Sequence, residues 1–225
     1  MIAIIAESFT KIKFSSICVS VKDSYPLFIS FIASSVYTTL NTIILSFFVP
    51  VKNIGIYSAA DKLRNVSQSV ISPFQQAIFP NLSSHTNVFD DYLKHLKRYG
   101  IIFFGIGLCI SLGLAILSRP IIHLLLGSKF DESFNALLLM SPLPAIITLA
   151  VIFGQWGLVN IGESKKLSRI YVIGSFSHVL HVLITIKYFG IYGAIFSSLI
   201  TETLLTTAMA VTFFYEIKRR KLNVT

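Results

Sequence analysis

GIYSAADKLRNVSQSVISPFQQAIFP, residues 55–80, is the stretch on which the reading of this chain turns. It stands among long apolar segments, yet it carries Asp61, Lys62 and Arg64, glutamines at 68, 75 and 76, and prolines at 73 and 80. Placed on a helix at about 100° per residue, Asp61, Arg64, Asn65, Gln68, Ser72, Gln75 and Gln76 fall in one stripe about 120° wide and about 22 Å long. Leu63, Val66, Val70, Phe74 and Ala77 take the opposite face. Such a helix turns one side to lipid or apolar neighbours and the other to water, polar protein or a polar ligand.

The remainder of the chain says where that helix sits. Of 225 residues, 54% are apolar and 13% charged, and the mean hydropathy is +0.75. Soluble domains carry about 25% charged residues, so this is the composition of a membrane protein. Uncharged gaps run for 28 residues between Asp23 and Lys52, 25 between Arg64 and Asp90, 20 between Arg98 and Arg119, 30 between Glu132 and Glu163, and 17 between Arg169 and Lys187. A last segment, 188–215, holds the single charge Glu202. A helix crosses a bilayer with about 20 apolar residues. Barrel strands would be about half as long and alternate in polarity. The pattern predicts an all-α integral membrane bundle, 23–217, of six helices at about 25–49, 54–80, 99–118, 133–158, 170–186 and 190–215. Residues 1–22 read as a cytoplasmic lead-in and 218–225 as a basic cytoplasmic tail.

The charges then orient the bundle. One side collects Lys11, Lys13, Lys22, Lys94, Lys97, Arg98, Lys165, Lys166, Arg169, Lys218, Arg219, Arg220 and Lys221; the other holds Lys52, Arg119, Lys129 and Lys187. Cytoplasmic loops carry the excess of Lys and Arg, which predicts both termini inside. The net charge of +9 is a consequence of topology, so no nucleic-acid partner is needed to explain it.

The chain has no Gly-rich phosphate loop, no paired-histidine metal motif and no nucleophile elbow, so no cofactor or enzymatic chemistry is read. Cys18 and Cys109 lack metal-ligand spacing, and Cys109 lies in an apolar run, which argues against a disulfide. His85, His95, His123, His178 and His181 are scattered. His178 and His181 share a helical face, but nothing near them in sequence adds ligands, and no metal site is assigned. Glu202 is an intramembrane carboxylate that needs Lys62, Arg64, a histidine, water or a proton as partner. With Asp61, His178 and His181 it forms the set of intramembrane groups able to couple transport to an ion. Pro73 interrupts the second segment and Pro80 ends it, while Pro142 and Pro144 interrupt the fourth. Broken helices of this kind are common in alternating-access transporters.

These residues carry a resemblance. NIGIYSAADKLRNVSQSVISPFQQAIFPNLS resembles the segment after the seventh helix of Wzx-type O-antigen and capsule flippases of the MOP superfamily. The family pattern is roughly G-x-Y-S-x-A-x-K-L followed by P-x-x-Q-A-x-x-P. Gly55, Tyr57, Ser58, Ala60, Lys62, Leu63, Pro73, Gln76, Ala77 and Pro80 match it. DSYPLFISFIASSVYTTLNTIIL (23–45) and YGAIFSSLITE (192–202) extend the likeness over nearly the whole chain. What the resemblance implies is flipping of undecaprenyl-pyrophosphate-linked oligosaccharide across the inner membrane, within a MATE-like fold of two six-helix bundles around a cationic cavity. Lys62 and Arg64 would then meet the pyrophosphate or acidic sugars, and Asn65, Gln68, Ser72, Gln75 and Gln76 would line the sugar path. The match is to the C-terminal bundle alone. That implies a truncated or split flippase, whose partners are membrane lipids and the missing N-terminal half or a second copy. A drug or cation antiporter of the same superfamily, or a non-transporting membrane subunit, is the alternative.

Reporter fusions placed after Lys52, Lys97, Lys129, Lys166, Lys187 and Thr225 are expected to alternate between outside and inside. A periplasmic signal at Lys97 or Thr225 would overturn the predicted orientation.

Overall fold

In lipid, a backbone can satisfy its polar groups only within helices or closed barrels. The computed structural model describes residues 14–86 and 88–222, with side chains from Ser24 onward, and contains no strand among them. Helix α1 (Phe14–Phe48) is followed by a turn at Pro50, whose φ of −58° and ψ of 150° lead into α2 (Val51–Ser84). In α3 (Phe89–Leu126), Asp90 and Asp91 occupy the first turn and His123 the last, each matched to the helix dipole. A short 3-10 turn (Ser128–Phe130) precedes α4 (Ser133–Met140) and α5 (Leu143–Ala150). The chain then continues as a π-helical segment (Val151–Val159), followed by α6 (Ser164–Phe189) and α7 (Ile191–Leu222). Gly127 and Gly190, at φ of 77° and 56°, close α3 and α6 in the left-handed region that glycine tolerates.

The elements follow the predicted segments in order and differ from them at their ends. α3 starts at Phe89 and runs to Leu126, because its charged ends Lys94, Lys97, Arg98 and Arg119 remain helical beyond the apolar stretch. At about 1.5 Å per residue such a helix exceeds the roughly 30 Å hydrocarbon core. α1 already begins at Phe14, inside the predicted lead-in, whose residues 1–13 lie outside the described chain. Lys218–Leu222 of the predicted tail continue α7, and residues 223–225 also lie outside. Pro80 does not end α2; the helix passes through both Pro73 and Pro80 to Ser84. The fourth segment is broken at Ser141–Pro142. There the Ala145 N–H, left without its helical partner, donates to Ser111 Oγ of α3 at 3.0 Å.

Five helical stretches, Ser24–Phe48, Phe89–Leu126, Ser133–Val159, Ser164–Phe189 and Ile191–Leu222, are long and apolar enough to cross a membrane. Their outward faces carry large apolar side chains such as Phe28, Phe31, Ile116, Phe176 and Val211, all exposed. This is an integral membrane protein. α2 is as long as its neighbours but too polar to qualify by composition.

Two apolar clusters form the core. One contains Leu82, Tyr92, Phe103, Trp156, Met209 and Phe213, and the other Leu45, Ile56, Leu137, Val182, Ile186 and Ile195. α1 packs chiefly on α6 and α6 on α7, while α3 packs on α4 and α5. The buried seam of α3 is Tyr92, Leu96, Gly100, Phe103, Gly107, Ser111, Leu114, Ser118 and Ile122. Its steps of four, four and three make an 11-residue repeat, about 3.67 per turn, which keeps one face inward along the whole helix. Small residues on it admit close neighbours: a Cβ at Gly107 would lie 2.5 Å from Thr148 Oγ1.

The tightest approach is between α6 and α7, where a Cβ on Gly193 would lie 2.1 Å from the Thr185 carbonyl oxygen. Gly193→Ala is expected to lower stability in detergent by about 1–3 kcal/mol, the usual range for overpacking. Gly113→Ala, with nothing within 4 Å of the new methyl, should be neutral or mildly stabilising. Thermal unfolding of both variants checks this; equal midpoints would contradict the close packing.

Candidate functional site

Between the two apolar clusters the bundle carries a polar layer. Tyr37 and Asn41 enter it one turn apart on α1, and Asp61 and Arg64 face it from α2. His178 and His181 come from α6; Ser197, Ser198, Thr201 and Glu202 come from α7. Glu202, 9% exposed, accepts a hydrogen bond from the Tyr37 hydroxyl at 2.6 Å. Arg64 Nη2 lies 2.6 Å from Asp61 Oδ1, with the two side chains 13% and 24% exposed. Asn65 Nδ2 donates to the second Asp61 oxygen at 2.9 Å. Tyr37, Asn41, Asp61, Arg64, Ser198 and Glu202 line one small pocket of about 20 Å³, room for about one water.

The histidines extend the layer. Asn41 Nδ2 donates to Ser198 Oγ at 2.7 Å, which leaves Asn41 Oδ1 to accept from His178 Nε2 at 2.9 Å. In this amide orientation His178 carries its proton on Nε2. Its Nδ1 lies 2.7 Å from Thr201 Oγ1, which also reaches His181 Nε2 at 3.1 Å and the Ser197 carbonyl at 2.8 Å. A second proton on His178 would therefore point at Thr201 Oγ1, and the Thr201 hydroxyl would still have the Ser197 carbonyl as acceptor.

Towards the end that holds the α2–α3 turn, a cleft of about 390 Å³ opens between α1, α2, the π segment and α6. Gln75, Gln76, Gln155, Ser30, Ser34 and Tyr171 supply its polar lining. The Gln75 amide donates to Gln155 Oε1 across the cleft. Gln155 stands in the π segment, whose wide turns also leave the Trp156 carbonyl to accept from Tyr92 Oη at 2.5 Å. Arg64 Nε and Gln68 Oε1 are buried without a hydrogen-bond partner among the described residues. They are a donor and an acceptor of the kind a polar ligand requires.

The sequence-predicted residues thus divide. Asp61, Arg64, Glu202, His178 and His181 come together in one layer, and Gln75 and Gln76 line the cleft. Ser72 Oγ accepts from Gln76 Nε2 at 3.2 Å. Lys62 does not join them: it is exposed and turned about 200° from Arg64 around α2, with no ion pair among the described residues. Pro73 lies within the continuous α2, whereas Pro142 caps α5 and Pro144 stands in its first turn. Sequence reasoning missed Tyr37, Asn41, Thr201 and Gln155. The one available signal was a lone Asn41 and a lone Gln155 in otherwise apolar runs. A separate group, His85, Asp91 and His95, brings three metal-ligating side chains within 4.8 Å of one another.

The chain is similar to known proteins. The family described as "Polysaccharide biosynthesis protein" matches residues 2–86. Two curated proteins that bear the name "Putative O-antigen transporter" are similar along most of the chain. That of Shigella dysenteriae is 38% identical over 197 residues, covering 88% of this chain and 49% of its own length. That of Escherichia coli K12 is 30% identical over 196 residues, covering 84% of this chain and 46% of its own length. The chain spans about half the length of these relatives. No solved structure matches it.

The Asp61–Arg64 pair is expected to behave as a unit. Asp61→Asn or Arg64→Gln alone leaves a half-buried charge uncompensated, and the double variant leaves none. A double-mutant cycle in thermal unfolding should show a coupling of about 1 kcal/mol or more. Additive losses would mean that the two side chains do not meet.

Proposed function

We propose that the chain, which is similar to two proteins named putative O-antigen transporter and spans about half of their length, forms one bundle of a flippase. Its cargo would be a lipid-linked oligosaccharide repeat unit, carried on a polyprenyl pyrophosphate across the bacterial inner membrane. The observation that carries this reading is the inward polar face of α2, a helix too polar to cross a membrane alone, set in a bundle whose other helices are apolar. A sugar chain needs a route along which its hydroxyls exchange partners without meeting hydrocarbon, and α2 supplies one.

On this reading α2 joins the five apolar stretches to make six spans, and both termini face the cytoplasm, as the Lys and Arg distribution favours. Arg64 offers its guanidinium to the pyrophosphate or to acidic sugars, a fork that matches phosphate geometry. Gln68, Ser72, Gln75, Gln76 and Gln155 hydrogen-bond the saccharide between Arg64 and the α2–α3 end of the bundle. Asn65 holds the Asp61 carboxylate in place. Glu202, His178 and His181 form the proton-accepting layer that would couple movement of the cargo to an ion. Lys62, on the outer side of α2, would meet the cargo only where a second bundle closes the path. That partner is the N-terminal half or another copy of this chain, and it is favoured by the twofold length of the relatives. The relatives' names favour polysaccharide over a drug as cargo.

The test is complementation in a strain lacking its own O-antigen transporter. The chain is expressed with and without the N-terminal half of a relative, and surface polysaccharide is read by gel. Complementation with the added half, lost in Arg64→Gln at normal protein level and partly restored in Arg64→Lys, is the expected result. Unchanged surface polysaccharide in Arg64→Gln would remove Arg64 from the path, and failure of every pairing would remove the flippase reading.

A further inference from the structure

We propose that His85, Asp91 and His95 form a binding site for a divalent transition metal ion of the zinc class, stapling the turn between α2 and α3. The three residues come from two elements. His85 follows the last residue of α2, and Asp91 and His95 lie four apart on the first turns of α3, so their side chains share a face. The sequence gives no hint of the third ligand, because the turn alone brings His85 over α3.

The orientation of both rings is the strongest sign. His85 Nδ1 lies 2.7 Å from the Asn81 carbonyl oxygen, and His95 Nδ1 lies 3.0 Å from that of Asp91. A carbonyl accepts only, so each Nδ1 donates, and in the neutral ring the lone pair stands on Nε2. This is the outer hydrogen bond that metal-bound histidines make, fixing tautomer and ring orientation before the ion arrives. The rings stack with centroids 4.1 Å apart, and His85 Nε2 is 3.9 Å from Asp91 Oδ2. The ligand atoms all lie within 4.8 Å of one another. Around a tetrahedral ion with bonds of about 2.0–2.1 Å they would stand about 3.3 Å apart. Small side-chain rotations close that difference.

Two nitrogens and one carboxylate oxygen suit zinc, nickel or copper rather than calcium or magnesium. The side chains are about 30% exposed for both histidines and 44% for Asp91, which leaves a fourth position open to water. None of the three residues lines the polar pocket or the glutamine cleft. Its consequence is mechanical: an ion there fixes the end of α2 against α3.

The experiment uses the full chain in detergent, prepared without a polyhistidine tag and with Cys18 and Cys109 changed to serine, titrated with zinc in a non-coordinating buffer. One ion per chain is expected, with an unfolding midpoint that rises with the logarithm of free zinc and falls back on chelation. His85→Gln and His95→Gln should each weaken binding by about tenfold or more, since loss of even an outer partner costs that much. His123→Gln, at the opposite end of the bundle, should leave it unchanged. Cobalt in place of zinc should give the intense visible bands of four-coordinate geometry. Absence of saturable binding to the unsubstituted histidines would overturn the proposal. So would binding that survives both His85→Gln and His95→Gln, or binding lost in His123→Gln.

Discussion

A carboxylate buried in a bundle that faces hydrocarbon on its outside must find its partners within the protein. Glu202 is that carboxylate, and much of the interior can be read outward from it. Its oxygen requires the Tyr37 hydroxyl, which fixes the rotation of α1 against α7. One turn along α1, Asn41 is thereby set against Ser198 and His178, and His178 against Thr201. Arg64 and Asp61 close the same pocket from α2. The apolar clusters on either side tolerate many repackings of similar volume, but the polar layer has one register in which Tyr37, Asn41, His178 and Thr201 all find their partners.

The charged end of the bundle follows the same logic with water nearby. Glu216, 1% exposed, meets Lys166 at 2.5 Å and Arg219 at 3.2 Å, while Glu163 meets Lys166 at 3.1 Å. Arg220 donates to the Ile161 carbonyl, which ties the end of α7 to the turn after the π segment. Basic residues whose distribution carries the predicted orientation also fasten α6 and α7 together.

Much of this was legible beforehand. The charge gaps anticipated the order of the apolar helices, although α2 holds Lys52, Asp61, Lys62 and Arg64 within it, and a helical wheel on residues 61–76 separated the face that meets the bundle from the one bearing Val66, Val70 and Phe74, all exposed. Periodicity shows a face, however, and not what stands opposite it. That is why Lys62 was grouped with Arg64, although the two side chains diverge, and why Tyr37 and Asn41 went unnoticed inside an apolar run. The π segment was illegible for a different reason. Its wide turns lie against α7, where a Cβ on Gly154 or Gly157 would come within 2.9 Å of Met209 or Phe213. No local pattern encodes that. Pro80 misled because a long helix held at both ends absorbs one missing donor. His85 and His95 seemed unrelated because only the turn brings their rings together.

The glutamine pair across the cleft has a kinetic meaning. Gln75 and Gln155 each present an amide with both a donor and an acceptor, the same complement that a saccharide hydroxyl offers. Parting them beside a carbohydrate is an exchange and not a loss, because the number of hydrogen bonds is conserved at every step. A seam closed by leucines would have to expose apolar surface before anything could enter. On the proposed reading, a seam closed by amides opens by swapping partners one for one and closes again in the same way.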